Sequence, residues 1–372
     1  MQAEIAILYC VYHDLDTEER SREVLDVLTR IGNVVVVSPT RIGVAARLND
    51  ATEISTPNGY IGFLLASCRS IIAHRRFNCI VLHDNYTSIL VLFSKIVARK
   101  AKIVFDSSEF YPLSEIMRTD HSNIQILIKD FILRFMERIT MRSPDLVIAA
   151  NGQRARAMKE YYKLKRSPVV YDNVHRIADD VSMNMESKYS NYFQDKSVFT
   201  LIYAGGISHG RETFKIADSI AALGSGYRLI VVGNATEKSR REFQKRYSYC
   251  KEINVFYFGF ISRAELRYLY EKGDVGVSAF AKTSSNNIYC ASGKLYECLF
   301  LGKPILCSAN PPLEDVCSEF GVGIASDDYI RSIKQLKENY KYFQDNAKAF
   351  CEKYDYMGRY DRLAMSIKEA LG

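Results

Sequence analysis

Lys294 and Glu297 stand three residues apart in the run Tyr-Cys-Ala-Ser-Gly-Lys-Leu-Tyr-Glu-Cys-Leu-Phe-Leu-Gly-Lys-Pro, residues 289–304. A carboxylate in so apolar a segment is costly to bury unless something hydrogen-bonds to it. The paired hydroxyls of a ribose are one such partner, and a cation one turn earlier can meet a phosphate. The plainer alternative is an i, i+3 ion pair on a solvated helix face, and these two residues alone leave both open. A second constellation, Gly205-Gly206-Ile207-Ser208-His209-Gly210-Arg211, joins an apolar run to an amphipathic one. Glycines there let backbone amides approach a phosphate, a helix N-terminus favours the anion, and Arg211 adds a fork of donors. The loop is neither a Walker A sequence nor a Gly-x-Gly-x-x-Gly fingerprint. Gly259-Phe260-Ile261 ends another apolar run and is a candidate contact for a nucleobase. Upstream, His83-Asp84-Asn85 and Asp106-Ser107-Ser108-Glu109-Phe110-Tyr111-Pro112 also follow apolar runs. Acids, amides and hydroxyls at such places suit a substrate, and equally suit caps and turns.

The elements that must hold these residues alternate along the chain. Strands are predicted at 5–10, 33–37, 79–82, 102–105, 145–149 and 169–171, with helices at 17–31, 62–73, 87–99, 122–141 and 153–161. Thr17 is the expected N-cap of the first helix. After a polar stretch the pattern resumes. Strands fall at 199–204, 227–232, 254–258, 275–279 and 304–307, and Ser262 with Glu265 forms a capping box. The segment 282–289 reads as a loop. A helix over 291–301 places Leu295, Leu299 and Phe300 on one apolar face and stops at Gly302 and Pro304. Strands alternating with helices imply parallel sheets covered on both faces, and ligands bind outside the carboxyl ends of such strands. All the candidate residues above lie at those ends or on the helices that follow. The expected division is a first domain over 1–172, a linker over 173–196 and a second domain over 197–372.

Composition narrows the function classes. At 372 residues the chain exceeds one ordinary core, and 48% apolar with 25% charged residues is ordinary for a globular protein. Nine cysteines with no Cys-x-x-Cys pair read as reduced core residues of a cytoplasmic protein, not as a disulfide framework or zinc site. No signal peptide is apparent, and no apolar run reaches the roughly 18–20 residues that span a bilayer. The net charge of +7 allows an anionic substrate or an anionic membrane surface and gives no support to nucleic-acid binding. The segment 124–141 mixes Ile, Leu and Phe with Lys129, Arg134, Arg138 and Arg142. It suits either a membrane surface or a core-facing helix with a basic solvated side. His-Glu-x-x-His, Gly-x-Ser-x-Gly and Asp-x-Asp motifs are all missing.

Taken in order, these landmarks resemble a known family. Val81-Leu82-His83-Asp84, the Phe105–Pro112 run, Asp145–Ala149, Tyr203–Arg211 and Ser292–Pro304 are similar to successive motifs of retaining GT-B glycosyltransferases of family four. The resemblance implies an α/β fold of two Rossmann-like, doubly wound parallel-sheet domains facing a cleft, with the last helix returning to the first domain. It implies transfer from a UDP- or GDP-sugar to a glycan or lipid-linked glycan of a cell-surface polysaccharide; the expected location is the cytoplasm, either free or at the inner face of the membrane. No metal and no cofactor are expected, the nucleotide sugar being a substrate. Glu297 would hold the ribose, Arg211 and Lys294 the diphosphate, and Gly205-Gly206 the phosphates and reacting sugar. Phe260 and Ile261 would flank the base. Asp106, Glu109, Ser108 and His83 would line the catalytic, acceptor side. Two positions depart from the pattern: Ser108 stands where many members have His, and Tyr289 where many have a second Glu. Two rivals share the architecture, a non-hydrolysing UDP-sugar epimerase and a non-catalytic nucleotide-sugar-binding subunit.

Overall fold

Unbroken apolar runs such as Val34–Val37 and Ile80–Leu82 suit strands covered on both faces. The computed structural model describes residues 5–15, 18–39, 51–56, 59–73, 77–113, 115, 124–177, 188–247 and 254–372. Two units emerge, Met1–Asn173 with Asp355–Gly372, and Val174–Tyr354.

The first unit holds β1 (Ala6–Val11), β2 (Asn33–Ser38), β3 (Ala51–Ser55), β4 (Cys79–His83), β5 (Lys102–Ser107), β6 (Leu146–Ala149) and β7 (Val169–Val170). They form a parallel seven-stranded sheet in the order β3-β2-β1-β4-β5-β6-β7. The order reverses between β1 and β4, the switch point where open sheets leave a crevice. Register pairs Val11 with His83 and His83 with Asp106, so the ends of β1, β4 and β5 lie side by side.

Helices α1 (Glu19–Thr29), α2 (Gly59–Ala73), α3 (Ser88–Val97), α4 (Ile124–Thr140) and α5 (Gly152–Tyr162) connect the strands. Right-handed crossovers put α1 on one face and α2, α3 and α4 on the other. Glu18 caps α1, its carboxylate accepting the Ser21 N–H at 2.6 Å; the expected cap, Thr17, lies outside the described residues. The helix Gly358–Leu371 packs on α1. There Arg359 meets Glu23 at 2.5 Å, with both side chains buried.

The second unit holds β8 (Phe199–Ala204), β9 (Tyr227–Val232), β10 (Val255–Tyr257), β11 (Val275–Ser278), β12 (Ile305–Cys307) and β13 (Gly323–Ala325). Their order, β10-β9-β8-β11-β12-β13, reverses between β8 and β11. The Ser262–Glu265 capping box forms as expected. Glu265 also accepts the Tyr189 hydroxyl at 2.9 Å, and Tyr189 is buried in this unit's core although it falls in the stretch read as linker. The helix read as 291–301 is Gly293–Leu299, because Ser292 is extended and Gly302 turns the chain at φ +64°. Within the predicted loop 282–289, Ser285–Ile288 forms a short helix whose Asn287 N–H is accepted by the Ser284 side chain. The edge strands β3 and β13 were not predicted. The polar run Ala-Thr-Glu-Ile-Ser and a strand of three residues carry little period-2 signal.

Candidate functional site

In the first unit the ends of β1, β4 and β5 assemble a charged cluster. Asp106 is wholly buried on β5 and accepts from Arg20 of α1 at 2.6 Å and bonds His83 Nδ1 at 2.9 Å. Arg20 also donates to the Tyr171 carbonyl at 2.7 Å. Burial alone would raise the Asp106 pKa, but the Arg20 and His83 charges outweigh it and lower it. For His83 burial pulls down, yet Asp84 and Asp106 prevail and lift the imidazole to about 9. His83 is therefore a buried imidazolium between two carboxylates, and its Nε2 bonds Ser21 Oγ at 3.1 Å. With no exposed surface, His83 and Asp106 cannot touch a ligand directly; they position what lies above them.

What lies above them is Asp84. Its backbone adopts φ 58°, ψ 175°, a region populated almost only by glycine. Its carbonyl accepts from Thr87, and its N–H donates to the Asp106 carbonyl at 2.8 Å. The carboxylate accepts the Ser108 N–H at 2.8 Å and its hydroxyl at 2.7 Å, and meets His13 Nε2 at 3.1 Å. Burial opposes ionisation, but His83, His13 and Ser108 together lower its pKa. The Ser108 carbonyl accepts from Arg154. Glu109 reaches solvent; surrounding protein and the Asp84 charge raise its pKa. His13, about a third exposed, gives the cluster a ring at the surface.

His13 and Arg20 escaped the sequence reading as site residues, because they carry no local motif. Asp84 is among the strand-end acids that the sequence offers to a substrate, but its strained backbone is invisible in sequence. His13, His83 and Asp84 bring ligand-type atoms within 4.8 Å of one another.

In the second unit, Glu297 is 1% exposed on the helix Gly293–Leu299. Its Oε1 meets Lys294 at 2.9 Å and Arg263 at 3.3 Å, so the plain i, i+3 ion pair exists. Its Oε2 is buried with no hydrogen-bond partner. An orphaned buried carboxylate oxygen costs roughly 1–3 kcal/mol or more, which a hydroxyl donor would relieve. Arg211 is exposed, stacks over Phe280 at 4.4 Å and has no carboxylate partner among the described residues.

The two glycines prove to have a packing reason. Gly206 sits at φ +71° where a Cβ would lie 2.0 Å from the Asn234 carbonyl oxygen, and at Gly205 it would meet the Tyr203 ring at 2.7 Å. The Gly206 N–H donates to the Val232 carbonyl and that of Ile207 to Asn234. Those two amides are committed to the sheet, contrary to the expectation that they face a phosphate. Phe260 is 79% exposed after β10, whereas Ile261 packs on the core. Tyr289 is half-buried at the end of Ser285–Ile288.

No protein-family profile matches the chain, and no curated protein does. Solved structures do match in fold. HepE of Anabaena, in complex with UDP and glucose, aligns with TM-score 0.70 at 14% identity over 98% of this chain and 100% of that one. A glycosyltransferase from Rickettsia africae gives 0.70 at 13% over 99% of each. A UDP-forming α,α-trehalose-phosphate synthase from Burkholderia vietnamiensis gives 0.65 at 11% over 99% of each. Likeness at such identities shows architecture: this chain has the GT-B fold, with two Rossmann-like domains.

Proposed function

We propose that the chain is a glycosyltransferase that moves a sugar from a UDP- or GDP-linked donor to a glycan acceptor, free or lipid-linked, in a cell-surface polysaccharide pathway. The observation that carries this reading is Glu297 Oε2, a buried carboxylate oxygen left without a donor at a helix on the carboxyl-end side of the second sheet. A ribose hydroxyl pair supplies the missing donors, while Lys294 and Arg211 offer positive charge for the diphosphate. Phe260 offers an exposed ring to the base. Structures solved with UDP and with UDP-glucose are among those sharing the fold, which favours uridine over guanosine.

Asp84, His13 and Glu109 orient the acceptor hydroxyl, held from behind by Arg20, Asp106 and His83. The donor's own phosphate takes the acceptor proton, so transfer proceeds with retention and without a metal or other cofactor. Ser108, in place of a histidine, fixes the Asp84 carboxylate and leaves His13 as the ring that reaches solvent.

The test is Glu297→Gln. It should weaken nucleotide binding by about 1–3 kcal/mol, read by calorimetric titration with UDP and GDP, and leave the ligand-free melting temperature nearly unchanged. Equal affinity in variant and parent sinks the donor assignment. Turnover of donor without acceptor would favour the epimerase reading, and binding without turnover across acceptors the non-catalytic one.

A further inference from the structure

A helix packed on a sheet ordinarily shows one apolar stripe, toward the core. Helices α2, α3 and α4 show a second one, toward solvent. On α4, Ile124, Ile128, Phe131, Phe135 and Ile139 recur every three or four residues and are 43–65% exposed. Phe131 and Phe135 stack at 6.0 Å. On α3 the outward stripe is Ile89, Leu92 and Ile96, and on α2 it is Ile61, Leu65 and Ile72. Since α2 packs beside α3 and α3 beside α4 on one face of the sheet, the stripes form a single surface. Exposed large apolar residues elsewhere among the described residues are scattered singly, which needs no explanation.

Among the described residues, the exposed charges of these helices are mainly cationic. α2 and α3 contain no acidic residue. On α4, Glu137 is buried and Asp130 lies beside Arg134 at 3.9 Å. Exposed cations flank the apolar stripes: Arg69 on α2, Arg99 and Lys100 just after α3, and Arg138 and Arg142 at the end of α4. Arg134, which the sequence offered as part of a basic side, is buried and donates toward the Pro112 carbonyl.

We propose that the α2-α3-α4 face docks the chain on an anionic lipid bilayer, the apolar stripes entering the headgroup layer and the cations meeting lipid phosphates. Charge decides the occupant. A second copy seated on this face by two-fold symmetry would set the same cations against one another, whereas an anionic membrane complements them. No described helix is long and apolar enough to cross a membrane, so the contact is in the interface plane. This inference stands apart from the transferase reading, because vesicle binding needs no turnover.

The test is co-sedimentation of the full chain with vesicles of phosphatidylcholine alone or mixed with phosphatidylglycerol. Binding is expected to the mixed vesicles and to fall about tenfold or more at high salt. Phe131→Glu and Phe135→Glu should each abolish it, and Arg99→Glu with Lys100→Glu should reduce it strongly, with melting temperatures confirming the fold. Met365→Glu, on another surface, should bind as the parent does. No sedimentation with either vesicle, equal binding to both, or full binding by the Phe variants overturns the proposal. A dimer seen by light scattering without lipid, and dissolved by Phe131→Glu, would assign the face to self-association instead.

Discussion

Ser108 directs both its backbone N–H and its hydroxyl at the Asp84 carboxylate, at 2.8 and 2.7 Å. The residue thus held is the one whose backbone occupies glycine territory, a strain of order 1–3 kcal/mol that persists only when the surroundings over-determine it. Here they do, through Thr87, Asp106, Ser108 and His13. Strain maintained by that many contacts is a mark of a site more than of packing.

Asp84→Asn keeps the shape and removes the charge. It should lower turnover by about 100-fold or more, in the range for loss of an acid–base or orienting group, measured as nucleotide release with acceptor present. Retained turnover in a folded variant would remove Asp84 from the site.

His83 makes stability pH-dependent. Its folded pKa of about 9 exceeds the ordinary 6.5, so its stabilisation is complete below about 6.5 and is lost as pH rises through about 9. A shift of that size corresponds to about 3 kcal/mol. Urea unfolding of the parent should show stability declining across this window, and His83→Gln should flatten the decline. A parent whose stability rises or stays level from pH 6.5 to 9 contradicts a buried imidazolium.

Much of this frame was legible beforehand, for physical reasons. Strands such as Phe199–Ala204 and Tyr227–Val232 announce themselves as apolar runs ending at Gly or a polar turn, and their bounds match the reading. The capping box at Ser262 is a local pattern and survives folding unchanged. Contacts set by register are a different matter. Arg20 reaches Asp106 across 86 residues, and His13 reaches Asp84 across 71, because β1, β4 and β5 lie side by side. Neither pairing leaves a trace in spacing. The sequence offers Gly205 and Gly206 as places where backbone approaches a phosphate, whereas the close approach in the structure is to Tyr203 and Asn234.

The role proposed for Arg211, a contact to phosphate and not to the base, can be tested by itself. Arg211→Ala should weaken UDP or GDP binding by about 1.5–3 kcal/mol, the range for a hydrogen bond to a charged group, yet leave the corresponding nucleoside unaffected. Excess EDTA should change neither affinity nor turnover. Rescue by magnesium or manganese of an EDTA-inhibited enzyme would mean that a metal, not Arg211, carries the diphosphate charge.

The contact between Glu23 and Arg359 tests how the end of the chain is fastened within the first unit. Arg359 meets Glu23 at 2.5 Å, donates to the Asp172 carbonyl at 2.9 Å and stacks on Tyr356 at 4.3 Å. Glu23 also accepts the Tyr356 hydroxyl at 2.7 Å. Both charges are buried, so the worth of the pair and the cost of breaking it differ. Arg359→Ala leaves the buried Glu23 carboxylate without its guanidinium partner, and should cost about 3–5 kcal/mol. Replacing both residues by Leu removes the uncompensated charge and should recover most of that loss, since apolar pairs of similar volume are often neutral. Urea midpoints of the parent, the single and the double variant read the difference. A double variant no more stable than Arg359→Ala would show that the lost carbonyl and ring contacts, not the stranded charge, set the cost.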